Sequence, residues 1–290
     1  MSVDRLQEKI RKAKNALIVS LPADPGVLPP EYREGEGPLA RTDAYCRDLM
    51  ASLKGTVPGI RMSLSAFSLM GPEGLTALTG LLKAASNQGF YTLLDAPLLL
   101  SEEDAAQCAE AFWGGDSRYP CDGTVVSAYP GSDVLLPFLP GCKTGKKDLF
   151  ALVRGANRSA AALQDLLAGS RVVHTAAADL VSRLGDDVMG RSGYSRVGLA
   201  ASAGSGDSLR SLRRKYPKQF LLADGLDYPW GNGKNASYAF DRLGHGAAVC
   251  VGSSVTAAWK QSPGGGDPFD AAAASAERIN KNLLRYITIL

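Results

Sequence analysis

The chain has 290 residues, 45% hydrophobic and 21% charged, a composition typical of globular proteins that bury a core. It contains no run of about 18 uninterrupted apolar residues, and its charged start, MSVDRLQEKIRKAK, is unlike a signal peptide, so we expect a cytoplasmic protein with no membrane span. The net charge of +3 is small and the basic residues are scattered, which argues against nucleic-acid binding.

Along the chain, eight short apolar runs alternate with longer stretches of helical period. The predicted strands are Ala16–Leu21, Gly59–Ser63, Phe90–Leu94, Gly123–Ser127, Leu149–Val153, Arg196–Ala201, Gln219–Ala223 and Ala247–Val251. Two of the stretches between them carry clear helix boundaries. Pro72–Gly89 has Pro at its start and Gly at its end, and Ser101–Gly114 opens with Ser before two glutamates.

Strands that alternate with helices predict a parallel sheet, and eight such units in about 250 residues match an α/β fold of the (β/α)8 TIM-barrel type. The alternative is an open doubly wound sheet, but its G-x-G-x-x-G turn is absent after the first strand, where LIVSLPADPGV stands. We therefore expect one domain over residues 1–290, with its core at about 16–260. An N-terminal helix, a helical insertion at Arg171–Gly190, a connector at Gln261–Asp270 and a closing helix at 271–290 complete the prediction.

Functional residues of such barrels lie where the strands end, at the carboxyl-terminal face. The second and third strands end at Arg61 and Asp95, which we expect to pair. Pocket candidates at the ends of the first, fourth and fifth strands are Asp24, Ser127, Arg154 and Asn157. The loops after the last two strands commonly bind phosphate through backbone amides. The phosphate-binding candidates there are Gly231, Asn232, Gly233, Lys234, Gly252, Ser253 and Ser254.

Two further features predict no specific chemistry. The five cysteines include no C-x-x-C pair, and the two histidines, His174 and His245, form no ligand-spaced cluster, so we expect no metal site. The basic run RSLRRKYPK (Arg210–Lys218) is interpreted as a solvated helix face.

Several longer segments, spanning about Leu17 to Trp259, resemble the orotidine 5′-monophosphate (OMP) decarboxylase family, in particular its longer bacterial subgroup, type 2. DLFALVRGANRSAAALQDL followed by GYSRVGLAASAG is similar to the fifth and sixth strands of that family with the inserted helix between them. SAFSLMGPEGLTALTGLLKAASNQGFYTLLDA resembles the approach to its catalytic strand, and VVSAYPGSDVLLPFL its fourth strand. The order of these segments matches as well.

The resemblance implies a homodimer that decarboxylates OMP without metal or cofactor, through alternating lysines and aspartates. One lysine belongs to the second strand and a D-x-K-x-x-D run to the third, and the last Asp acts across the dimer. In this sequence the strand-two lysine corresponds to Arg61, and the first Asp is Asp95. The proton-donating lysine corresponds to Pro97 and the last Asp to Leu100, neither of which can ionise.

Two further positions depart from the family pattern. The Asp that holds the ribose is replaced by Pro22, with Asp24 two residues later, and the phosphate-binding arginine corresponds to Val255. The resemblance also implies a dimer interface near the mouth of the barrel, which would place Leu98, Leu99 and Leu100 beside the partner.

These departures favour a family barrel that lacks decarboxylase activity and keeps a pocket for a small phosphate or nucleotide ligand. One alternative is an active OMP decarboxylase in which Lys54 or Lys234 reaches the substrate. Another is a metal-assisted sugar-phosphate lyase that uses Asp95, Asp224 and Asp227. The last is a structural or partner-binding barrel, since a fold alone does not fix function.

Overall fold

In a computed structural model, eight parallel strands close into a barrel. The structure describes residues 2–34, 37–98, 101–261 and 266–289. The barrel strands are β1 Leu17–Ser20, β2 Gly59–Ser63, β3 Tyr91–Asp95, β4 Gly123–Ser127, β5 Asp148–Arg154, β6 Ser195–Ser202, β7 Gln219–Asp224 and β8 Ala247–Val251. Each strand pairs with its neighbours in the chain, and β8 closes the barrel against β1. The predicted barrel and all eight predicted strands are confirmed.

Helices surround the barrel. They are α1 Ser2–Ala13, α2 Pro38–Leu53, α3 Leu64–Ser68, α4 Gly71–Asn87, α5 Glu102–Trp113, α6 Leu139–Lys143, α7 Ala161–Gln164, α8 Val173–Gly185, α9 Gly206–Lys215, α10 Gly233–Ser237, α11 Ser253–Thr256 and α12 Pro268–Leu283. The start predicted for α5 is confirmed, because the Ser101 hydroxyl accepts the Asp104 amide proton at 3.1 Å. Among the described residues, no helix is both long enough and apolar enough to cross a membrane.

Apolar side chains fill the barrel and its amino-terminal end. Phe150 and Phe220 are fully buried and meet edge to face, with ring centroids 6.1 Å apart. Helix α1 covers the amino-terminal end with Val3, Leu6 and Ile10, which share one face at helical spacing and are all inaccessible to solvent. The carboxyl-terminal end is left open for a cavity.

The predicted additions differ from the structure at their boundaries. The stretch predicted as helical from Arg171 begins as a small antiparallel hairpin, Leu167–Ala168 with Arg171–Val172, and becomes helical only at Val173. The closing helix begins at Pro268, where the Asp267 carboxylate accepts the Phe269 amide proton at 2.7 Å. Pro268 is buried and Phe269 packs against the core, so the apolar face of this helix begins three residues before the predicted start.

Candidate functional site at the barrel mouth

Arg61 lies between two carboxylates at the open end of the barrel. Its Nη2 donates to Asp95 Oδ2 at 2.6 Å, and its Nη1 donates to Asp224 Oδ1 at 2.7 Å. Asp95 ends β3, whose register places it opposite Ser63 of β2, so the two strand ends meet. The predicted pairing of Arg61 with Asp95 is therefore present, and Asp224 from β7 makes it a triad.

Burial and mutual attraction set the charges of this triad. Burial alone would lower the pKa of Arg61, but the carboxylates of Asp224 and Asp95 raise it well above its ordinary value. Burial raises the pKa of Asp95, and Arg61 only partly offsets the combined effect of burial and Asp224. Burial and the neighbouring carboxylate of Asp224 therefore outweigh the effect of Arg61 on the pKa of Asp95. Asp95 Oδ1 is buried with no hydrogen-bond partner among the described residues.

The triad forms part of the wall of a cavity of about 600 Å³. The charged side chains among its described lining residues are three carboxylates, Asp95, Asp224 and Asp227, against one guanidinium, Arg61. The described lining therefore carries a formal excess of negative charge, and no lysine belongs to it. Cys250 also lines the cavity, and burial raises the pKa of its thiol to about 12, so the thiol stays protonated at neutral pH.

The carboxylate of Asp227 contacts the backbone amides that begin α11. Its Oδ2 accepts the Gly252 amide proton, and its Oδ1 accepts the Ser254 amide proton at 3.1 Å. Gly252 and Ser254 belong to the predicted phosphate-binding set. An aspartate from the preceding loop already provides the negative charge that these amides attract.

The other predicted phosphate residues lie elsewhere. Gly231, Asn232, Gly233 and Lys234 line a separate cavity together with Arg278, and they do not line the central one. The Asn232 side chain accepts the Asn235 amide proton at 2.8 Å and so caps its own short helix. Ser254 of the loop after β8 lines this separate cavity as well, whereas Gly252 and Ser253 line the central one. The predicted phosphate-binding residues are therefore divided between two cavities, and a phosphate site that joins both loops stays a prediction.

The loop after β7, here called loop seven, carries two stacked aromatic residues at the rim of the central cavity. The rings of Tyr228 and Trp230 stack with centroids 4.9 Å apart and planes 4° apart. Trp230 Nε1 donates to the carbonyl of Ala156 at 3.0 Å, which fixes loop seven against the loop after β5. Tyr228 is 43% exposed and lines the cavity, so its ring is accessible to a ligand.

Three of the four predicted pocket residues do not line the central cavity. Asp24 is exposed and accepts the Gly26 amide proton at 2.8 Å, which caps the turn that follows. Ser127 is buried and accepts the Tyr129 amide proton at 3.3 Å. Arg154 donates from Nε and Nη2 to Asp165 at 3.1 and 2.9 Å. Each side chain is used by its own loop, and only Asn157 lines the cavity.

Of the remaining candidate positions, some line the central cavity and others do not. Pro97 lines the cavity, whereas Leu100 and Leu99 lie outside the described residues. Ser253 lines it beside Gly252. Lys54 caps the carboxyl end of α2, which precedes β2, so it lies at the closed end of the barrel. Neither Lys54 nor Lys234 is thus among the cavity's lining residues.

Sequence reasoning did not select Tyr228 and Cys250, and it considered Asp224 and Asp227 only as metal ligands. Asp224 ends β7, and Asp227 and Tyr228 lie in the loop that follows it. Cys250 lies next to the last residue of β8, so position near a strand end was the signal available in the sequence. The structure gives the two aspartates other partners, a guanidinium and backbone amides. Among the described residues, no group of three or more His, Cys, Asp or Glu side chains is arranged to hold a metal ion.

No protein-family model matches the chain. It is 27% identical over 221 residues to an orotidine 5′-phosphate decarboxylase from Rhodopirellula baltica, covering 75% of this chain and 73% of the relative. It is 26% identical over 270 residues to one from Clostridium novyi, covering 92% and 93%. A structure assigned as an orotidine-monophosphate decarboxylase from Toxoplasma gondii shares the fold, with a TM-score of 0.80, 21% identity and coverage of 98% and 97%.

Proposed function

We propose that this chain, a member of the orotidine 5′-phosphate decarboxylase family, does not decarboxylate OMP and instead binds a small ligand in its central cavity. The observation that carries the proposal is the Arg61 triad. The family reaction needs a lysine ammonium that can give a proton to the substrate carbon, and the described lining offers a guanidinium held between two carboxylates.

None of the other lining groups replaces that ammonium well. A guanidinium whose pKa is raised further by Asp224 and Asp95 is a very weak acid. Pro97, at the position of the family's proton donor, has no proton to give. The Cys250 thiol, with its pKa raised to about 12 by burial, is also a poor donor.

The hydrogen bonds of Asp227 affect whether the central cavity can bind the phosphate of a nucleotide. Barrels commonly bind phosphate at the loops after strands seven and eight, beside a short helix. Here Asp227 accepts the amide protons of Gly252 and Ser254, and the lining around it is acidic. Retention of a nucleotide pocket would require Asp227 to move aside. We therefore propose a ligand with little or no negative charge.

An active decarboxylase with rearranged groups is the second candidate, and one observation favours it. Because burial raises the pKa of Asp95 and its Oδ1 has no partner among the described residues, this carboxyl could carry a proton toward a bound substrate. The metal-assisted lyase has no comparable support, since Asp95 and Asp224 both contact Arg61.

The test is to incubate the purified protein with OMP and follow the loss of substrate absorbance. The Clostridium novyi relative serves as a positive control at equal concentration. We expect no loss above the uncatalysed rate. Turnover by this chain would contradict the proposal, and abolition of that turnover in an Asp95→Asn variant would establish the second candidate.

Ligand binding separates this proposal from a purely structural barrel. Uridine, UMP and inorganic phosphate would be titrated while the melting temperature is followed. A ligand at 100 times its dissociation constant adds about 2.7 kcal/mol to the free energy of unfolding. We expect stabilisation by uridine, the uncharged member of the panel, and none by inorganic phosphate. A flat response to the whole panel favours the structural barrel.

We further propose a cytoplasmic homodimer, with the mouth of the barrel at the interface. One exposed apolar residue near the mouth supports this: Leu69, which follows α3, is 89% exposed. Leu98 packs partly against the core beside the same mouth.

A further inference from the structure

A groove lined by arginines lies at the end of the barrel opposite the central cavity. Its volume is about 590 Å³, and four of its lining residues are exposed arginines: Arg210, Arg214, Arg242 and Arg285. They come from α9, from the turn before β8 and from the segment that follows α12. The run RSLRRKYPK, interpreted from sequence as a solvated helix face, therefore contributes to a concave surface that two other segments complete.

A fifth arginine fixes the base of this groove. Arg213 donates to five backbone carbonyls, those of Ala239, Tyr216, Pro217, Gln219 and Gly246. Gln219 begins β7 and Gly246 directly precedes β8, which places the groove at the amino-terminal end of the barrel. These hydrogen bonds hold α9 against the turns that precede β7 and β8, and the Arg213 guanidinium also lies over the Tyr194 ring, 5.8 Å from its centroid.

In the part of the chain that the structure describes, the exposed arginines of the groove outnumber the carboxylates that line it. The one acidic residue that lines it in the described part of the chain is Asp241. Its carboxylate accepts from the Tyr194 hydroxyl at 2.5 Å and from the amides of Leu243 and His245 at 2.8 Å each. Arg210 has a loose contact with the exposed Asp207 at 3.4 Å. No described carboxylate lies within ion-pair distance of Arg214, Arg242 or Arg285.

Aromatic rings accompany these charges. The Arg210 guanidinium lies over the Tyr238 ring, 4.0 Å from its centroid, which orients the arginine. Tyr286 also lines the groove and is 50% exposed, so one ring remains open for stacking. One oriented guanidinium, further exposed guanidinium groups and an open ring match a ligand with both anionic and planar parts.

We propose that this groove binds a small molecule that carries two or more phosphate groups, such as a nucleoside di- or triphosphate. Four guanidinium groups exceed what one phosphate can neutralise, and guanidinium forks suit phosphate oxygens. The size and concavity of the groove are those of a small-molecule site. A nucleic acid would need basic residues along an extended face, whereas here they converge on one depression.

The test is calorimetric titration of the full chain with inorganic tripolyphosphate, UTP and inorganic phosphate at physiological salt. We expect tripolyphosphate and UTP to bind and phosphate to bind much more weakly. An Arg214→Ala, Arg242→Ala, Arg285→Ala triple variant should bind roughly tenfold more weakly for each guanidinium that is removed. Arg118→Ala removes an exposed arginine elsewhere and should leave binding unchanged.

Several results would overturn the proposal. They are no binding of tripolyphosphate at millimolar concentration, equal binding by the triple variant, or binding of a single-stranded oligonucleotide without binding of tripolyphosphate. If the triple variant does not fold, each single variant is measured instead, and unchanged affinity in all three is equally decisive. Tighter binding of UTP than of tripolyphosphate, reduced in a Tyr286→Ala variant, supports stacking of the base on that ring.

Discussion

At the scale of single residues, Arg61 shows why a charge can be kept while its chemistry changes. A lysine ammonium is a compact donor whose pKa shifts readily, whereas a guanidinium is planar and remains charged. Arg61 uses two of its nitrogens to join Asp95 of β3 and Asp224 of β7 across the barrel mouth. An arginine at this position is therefore better suited to joining the strand ends than to donating a proton.

Removal of the bridge should be costly. Arg61→Leu leaves the buried Asp95 and the partly exposed Asp224 without their counter-charge, so we expect a loss of about 3 kcal/mol in the free energy of unfolding, the lower end of the range for a buried ion pair. Arg61→Lys keeps the charge and should cost less. The measurement is urea denaturation at pH 7. Adding Asp95→Asn to Arg61→Leu should restore part of the loss, and a full loss in the double variant would contradict the account.

Asp148 provides a pH-dependent prediction at the closed end of the barrel. It is fully buried at the start of β5, where the Tyr91 hydroxyl donates to its Oδ2 at 2.7 Å. Burial raises the pKa of Asp148 from an ordinary 3.8 to about 7. The folded state therefore binds more protons than the unfolded state between these values, and its stability falls as the pH rises through this window.

Asp148→Asn should remove this dependence, because the amide oxygen still accepts from Tyr91 and no charge is buried. As the pH rises across this window, the free energy of unfolding of the variant should increase relative to that of the parent by up to about 1.4 kcal/mol per pH unit. The variant should therefore be the more stable protein at pH 8. Urea denaturation from pH 5 to 8 measures the difference. Asp187→Asn, which changes an exposed carboxylate, should follow the parent curve. Equal pH slopes for all three proteins would refute the expectation.

The sequence made some of these residues predictable and others not. Arg61 and Asp95 stand at the ends of adjacent strands, so strand order alone indicates that they meet. The third member, Asp224, joins from β7, and its side-chain direction depends on how the barrel closes. Asp24, Ser127 and Arg154 stand at strand ends too, yet local hydrogen bonds turn them away from the cavity. The sequence indicates which residue ends a strand. It does not show whether the side chain of that residue faces the cavity or forms a hydrogen bond within its own loop.

At the scale of elements, Asp227 ties loop seven to the start of α11 through the Gly252 and Ser254 amides. The same kind of contact, a side chain capping a helix start, was predictable at Ser101 because donor and acceptor are close in sequence. Asp227 is 25 residues from Gly252, so no local pattern reveals it. Helix ends that are set by neighbouring residues can therefore be predicted from the sequence, whereas contacts between distant loops cannot.

The Asp227 tie can be tested by substitution. Asp227→Ala leaves two amides without their acceptor, and we expect a loss of about 1 kcal/mol in stability. Asp227→Asn keeps an oxygen acceptor without the charge and should lose less. Millimolar phosphate should raise the melting temperature of the Ala variant more than that of the parent, since the amides then attract an external anion. An equal phosphate response in the parent would show that Asp227 does not exclude anions.

At the scale of the whole molecule, the two ends of the barrel differ in character. Helix α1 seals the amino-terminal end with buried Val3, Leu6 and Ile10, and the arginine groove lies on the outside of that end. The carboxyl-terminal end carries the acidic cavity and the exposed Leu69. Single exposed leucines are common on protein surfaces, but Leu69 lies beside the mouth at which the family resemblance implies a dimer interface. The open end is therefore the face that we expect to associate.

Association through the mouth predicts a homodimer that a charge at Leu69 disrupts. Leu69→Glu places a carboxylate in an interface whose centre excludes charged groups, so we expect at least about tenfold weaker dimerisation. The measurement is size-exclusion chromatography with light scattering over a dilution series. Leu243→Glu is the matched control, because Leu243 is 52% exposed but precedes β8 at the opposite end. A monomeric parent, or equal loss in both variants, would place the association surface elsewhere or remove it altogether.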